Sequence, residues 1–98
     1  RELAARHPVI GEVRGLGVFW ALELVRDRAT REPWAPSHAG DAGGDHMARL
    51  ATACHRRGLW PMIVSNRVHV TPPCTITDGE AGEALSILDD VFKEASTW

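Results

Sequence analysis

The sequence has 98 residues, 44% of them hydrophobic and 24% charged, with 13 acids against 11 bases for a formal charge of -2. A chain of this size makes one domain with one modest core, and no apolar run approaches the ~20 residues that a membrane span requires. The composition is globular rather than disordered, and the bases are scattered rather than gathered on one stripe, which argues against nucleic acid as a partner. The opening Arg1-Glu2-Leu3-Ala4 has neither an initiator Met nor a signal-type apolar stretch and reads as the inside of a helix. Cys54 and Cys74 form no CxxC pair and are expected as free thiols of a cytoplasmic protein.

Residues 1–7 are good helix formers, and Pro8 turns His7 out of the helical region, so a helix tail ends there. Val9 to Gly17 carries three glycines and reads as a loop and turn. Val18 to Arg26 is a nine-residue apolar run read as a strand, with Val18, Trp20, Leu22 and Leu24 on one face and Phe19, Ala21, Glu23 and Val25 on the other, both expected to be largely covered. Asp27 to Gly44 has two prolines, three glycines and no periodicity, and reads as a long surface connection. From Asp45 to Arg57 the apolar positions Met47, Leu50, Ala51 and Cys54 recur at helical spacing, with Gly58 as the stop.

Leu59 to Val64 and Val68 to Thr71 predict a hairpin turning at Ser65-Asn66-Arg67, with Val68 and Val70 facing the helices and Arg67, His69 and Thr71 on the opposite face. Pro72 and Pro73 end the pairing, since neither can donate to a ladder. Thr77 as N-cap and Glu80 three residues later predict a capping box ahead of a helix that buries Ala81, Ala84, Leu85, Leu88, Val91 and Phe92. The expected fold class is α+β, a small mostly antiparallel sheet covered by helices, without internal repeats.

Gly11, Gly15 and Gly17 follow a helix and open a strand, the reverse of a dinucleotide fingerprint, so a turn is favoured over a phosphate cradle. His38, Asp41, Asp45 and His46 cluster in sequence but match no standard ligand spacing, and no metal is expected. Cys54, on the apolar stripe of a helix, reads as core, and Cys74 as more exposed. Of the four tryptophans, Trp20 and Trp60 read as core filler and Trp34, in a Pro-flanked loop, as an interface candidate.

Three segments, HPVIGEVRGLGVFWALELVRDRATREPW, the Arg-Arg-Gly-Leu at 56–59 and NRVHVTPPCTITDGEAGEALSILDDVF, resemble in order the C-terminal small domain of class III aminotransferases, most of all the ω-amino acid:pyruvate branch. The resemblance implies that residues 1–98 are a fragment of a fold type I enzyme, a homodimer whose large domain holds pyridoxal 5′-phosphate on a lysine. It implies transfer of an amino group between an amine or ω-amino acid and a keto acid. No catalytic residue is expected in this chain: its sole lysine, Lys93, lies on the polar side of the last helix and is not at the family's Schiff-base position.

The small domain is expected to supply pocket wall and closure through His69, Arg67, Met62 and Trp60. In one branch of the family a carboxylate-binding arginine stands three residues before the Pro-Pro pair, where this chain has His69. In the ω-amino acid branch it falls where this chain has Met62. Arg67 is the nearest local substitute, with a solvated turn arginine as its competing reading. Arg14, Gly15, Gly17, Pro72 and Pro73 are expected to support the pocket structurally, Arg14 by bonding loop carbonyls or a helix end in preference to substrate. The rival readings are an independent α+β ligand-binding or interaction module and a decarboxylase or aminomutase of the same family.

Overall fold

The computed structural model describes residues 1–34 and 44–98. Its elements run α1 (Glu2–Arg6), β1 (Ile10–Leu16), β2 (Phe19–Asp27), β3 (Glu32–Pro33), α2 (Gly44–Arg56), β4 (Met62–Val64), β5 (Arg67–Val70) and α3 (Asp78–Ala95). The sheet is antiparallel in the order β1-β2-β5-β4, with β3 paired to the far end of β2. The fold is therefore the expected α+β arrangement with two strands more than the sequence reading supplied: β3, within the stretch read as a surface connection, and β1, which forms a hairpin with β2.

That extra hairpin corrects the assignment of residues 9–17 to a loop. Two of the glycines taken for turn residues lie within β1 because its neighbours leave no room for a side chain. A Cβ on Gly11 would sit 2.6 Å from Val25, and one on Gly15 would sit 2.3 Å from the Trp20 ring lying across it. Only Gly17, at φ +61, acts as a turn residue, closing β1 onto β2. The Trp20 indole fixes this turn by donating to the Gly17 carbonyl at 2.7 Å.

The core forms where one face of the sheet meets the helices. Ile10, Leu22, Leu24 and Val68 from the strands pack with Leu50, Ala53 and Cys54 of α2 and Leu88, Val91 and Phe92 of α3. The capping box at Thr77 and Glu80 is formed, and α2 stops at Gly58, φ +80, as the sequence predicts. The hairpin between β4 and β5 is also as expected, although the left-handed residue is Ser65 at φ 53. Asn66 instead binds the Leu24 backbone through its own carbonyl and its Nδ2 amide.

Several expectations about burial fail: Trp20, read as core filler, is only half-buried and stands outside the core cluster. Leu85 is exposed, because the cluster centres on the second half of α3 and the first turns project past it. Trp34 is buried rather than presented to a partner. β3 carries it under the sheet, where its ring stacks on His46 at 5.0 Å and on Trp98 at 5.9 Å. Trp60 is exposed rather than core. Of the residues weighed as metal ligands, His38 and Asp41 lie outside the described residues, as does the side chain of Asp45.

The chain ends are stapled to the sheet by polar contacts. Arg28 donates to the carbonyls of Ala4, His7 and Ile10. His7, buried, donates from Nε2 to Asp89 of α3 at 2.7 Å, and Arg6 and Lys93 also pair with that carboxylate. Among the described residues, no helix is long and apolar enough to cross a membrane.

Candidate functional site

The second face of the sheet has no helix on it, which corrects the expectation that both faces of β2 are covered. Strand register lays its side chains out as a grid, since directly paired residues share a face. Leu16 pairs with Phe19. The next row runs Arg14, Ala21, His69, Met62, and the row after it Glu12, Glu23, Arg67, Val64. Leu16, Phe19 and Met62 are strongly exposed apolar residues, while Glu12, Arg14 and Glu23 make a charged corner on β1 and β2.

His69 sits between the two. Its Nε2 is buried yet has no hydrogen-bond partner, and the imidazole meets the Phe19 ring at an interplanar angle of 89°, with ring centroids 6.4 Å apart. Met62 lies directly across the hairpin from it. The two positions at which the family resemblance leads one to look for an arginine are thus cross-strand neighbours, a proximity that the hairpin register creates. Arg67 is half-buried one alternation away on the same face. It makes no ion pair among the described residues.

The charged corner is organised by Arg14. Its guanidinium donates to Glu23 at 2.7 Å and to Glu12 at 3.0 Å, and Arg31 approaches Glu12 at 3.6 Å. The hydrogen bond to Glu23, more than any other contact, raises the Arg14 pKa above its ordinary value. These groups line a polar cleft of about 320 Å³. Arg14 therefore binds side-chain carboxylates rather than the loop carbonyls or helix end expected for it.

Trp60 is packed elsewhere, its ring stacked on His55 of α2 at 3.7 Å. Pro72 and Pro73 terminate β5 as expected, and the Pro73 carbonyl accepts from Ile76 in the turn leading to α3. Sequence reasoning missed Phe19, Glu12 and Glu23 as members of this surface. The alternation of β2 already put Phe19 and Glu23 on one face, but nothing local to residues 9–17 indicated that β1 would bring Glu12 and Arg14 beside them.

The chain itself does not fit pyridoxal phosphate. Its sole lysine, Lys93, is an exposed residue of α3 paired with Asp89 at 3.1 Å, so no amine faces the open surface. In the charged cleft the guanidinium groups of Arg14 and Arg31 are engaged by Glu12 and Glu23, and that of Arg28 by backbone carbonyls.

No family model matches the chain. Individual proteins do match it. It is 33% identical over 93 residues to a taurine–pyruvate aminotransferase of Bilophila wadsworthia, covering 94% of this chain and 20% of the relative. It is 30% identical over 98 residues to ethanolamine-phosphate phospho-lyase homolog 1 of Caenorhabditis elegans, covering 94% of this chain and 19% of the relative. The fold superposes on an amine transaminase from an uncultivated Pseudomonas species, crystallised with its pyridoxal phosphate. The TM-score is 0.81 and the identity 35%, over 96% of this chain and 20% of the transaminase. In sequence the chain is similar to part of class III aminotransferases, and in fold to part of pyridoxal-phosphate transaminases. It spans about a fifth of the length of the relatives it matches.

Proposed function

We propose that residues 1–98 are the C-terminal small domain of a pyridoxal-phosphate transaminase whose large domain lies against the open face of the sheet. The intact protein, a cytoplasmic homodimer in this reading, moves an amino group between an amine or ω-amino acid and a keto acid. The cofactor is bound by residues outside this chain, which supplies pocket wall and closure. One observation carries the reading: a sheet sealed on one face presents Leu16, Phe19 and Met62 to solvent on the other, around a buried imidazole nitrogen without a partner. Exposed apolar side chains gathered on one face of a sheet are characteristic of an interface.

Within that surface, Arg67 and His69 are the groups suited to an anionic substrate, Arg67 as a planar fork and His69 as a single donor. Met62 forms the wall opposite. The full-length protein is expected to absorb visible light through bound pyridoxal phosphate and to transaminate. Replacing His69 with Ala should raise KM for carboxylate-bearing donors and spare uncharged amines, at a cost of about 1.5–3 kcal/mol for one charge-assisted hydrogen bond. Equal effects on both donor types would remove His69 from the pocket. A full-length protein without bound cofactor would favour the independent-module reading instead.

A second reading within the family is supported by the 30% identity to a phospho-lyase homolog. Release of inorganic phosphate from an amino-alcohol phosphate, without amino transfer to a keto acid, would select it.

A further inference from the structure

We infer that Arg14 is a positioning residue: by holding Glu23 it keeps that carboxylate off Arg67 and leaves Arg67 open to a carboxylate-bearing ligand beside His69. The inference rests on the proposed role of Arg67 and His69 and adds the device that keeps their site vacant.

Register presents the problem. Glu23 has Glu12 opposite it on one side and Arg67 opposite it on the other. Side chains so paired across antiparallel strands have Cβ atoms about 4.5–5.5 Å apart, so like charges repel and opposite charges pair. Left to these neighbours, Glu23 would turn from Glu12 toward Arg67 and close the cation to any ligand.

The structure shows the other outcome. Arg14 lies diagonal to Glu23, opposite Ala21, whose small side chain leaves the guanidinium room to lie across β2. It donates to Glu23 at 2.7 Å and to Glu12 at 3.0 Å, so one cation relieves the repulsion between two carboxylates. A guanidinium offers five donors in a fixed fork and serves two acids at once, which Arg67, with only Glu23 opposite, does not. With Arg31 near Glu12 at 3.6 Å, the two acids are balanced by two bases. Arg67 remains as an unpaired cation among the described residues. His69, whose Nε2 has no partner, lies two residues along the same face, a backbone rise of roughly 6.6 Å. That spacing suits one carboxylate gripped by the Arg67 fork and accepting a hydrogen bond from His69.

The test uses the full-length protein and propionate as the probe, with binding measured by calorimetry. Arg14→Gln should weaken propionate binding by about tenfold, the scale of one charge-assisted hydrogen bond, because Glu23 then swings onto Arg67. Adding Glu23→Gln to that variant should restore binding to near the wild-type value, and Arg14→Lys, which keeps the charge without the fork, should fall between wild type and Arg14→Gln. Glu23→Gln alone, which does not depend on Arg14→Gln folding, should leave binding unchanged or tighter. Failure of Glu23→Gln to rescue, or weaker binding in the single Glu23 variant, would overturn the positioning role and make Arg14 merely structural. A different result bears on the underlying reading. If wild type does not bind propionate, or Arg67→Gln binds it as well as wild type, the anion site at Arg67 and His69 is wrong whatever Arg14 does.

Discussion

On the helical face of the sheet Leu22, Leu24 and Val68 are 6%, 0% and 0% exposed, while on the other face Phe19 and Met62 are 63% and 61% exposed. β2 supplies residues to both sets, and from Phe19 to Val25 it is apolar on either side apart from Glu23. What separates the faces is the partner: α2 and α3 close one, and the charged lattice of Glu12, Arg14, Glu23 and Arg31 occupies part of the other. Apolar character marks a residue as wanting cover, and the tertiary arrangement decides whether this chain provides it.

The contrast is sharpest in a pair of truncations, read by urea unfolding of the chain. Phe92→Ala, in the closed face, should cost about 3–5 kcal/mol through lost burial and the cavity left behind. Phe19→Ala, on the open face, should stay within about 0.5 kcal/mol. Equal costs would mean that the open face is covered in the isolated chain, by self-association or otherwise.

The hairpin joining the two faces can be broken from β1. Gly15→Ala places a Cβ against the Trp20 ring and should destabilise by about 1–3 kcal/mol, as over-packing does. The shift of Trp20 should appear in its fluorescence. At the start of α3, far from either face, Thr77→Ala should cost about 1 kcal/mol through loss of the cap.

The smallest effect is the pH dependence. The hydrogen bond from His7, then that from Lys93, with the charge of Arg6, holds the Asp89 carboxyl below its ordinary 3.8. Glu94 is lowered chiefly by Arg57, and Glu80 by the Thr77 hydroxyl. A carboxyl depressed in the folded state contributes stability above its unfolded pKa and loses it as pH falls through the folded value. The melting temperature should therefore fall as pH drops below the ordinary carboxylate range, and Asp89→Asn should flatten that fall.

Thiol chemistry separates buried from exposed surface without altering the fold. Burial pushes the Cys54 thiol up to about 11, and Cys74 is exposed. One thiol should react with iodoacetamide in the native chain and two after denaturation.

The sequence by itself determined the elements whose signals are local: the tail of α1 before Pro8, the apolar stripe of α2 with its glycine stop, the β4–β5 hairpin and the Thr77–Glu80 cap. Each rests on contacts within a few residues, so composition and spacing suffice. It also determined the alternation that puts Arg67 and His69 on one face, because side-chain parity in a strand is independent of what surrounds it. Only the tertiary structure decided that residues 10–16 are a strand, since Gly11 and Gly15 are chosen for Val25 and Trp20 across the hairpin rather than for any local turn. It alone drew Trp34 into the core through β3 and left Trp60 and Leu85 outside. It alone set Met62 opposite His69 and Arg14 beside Glu23, because the register that brings such side chains together is fixed by hydrogen bonds between segments distant along the chain.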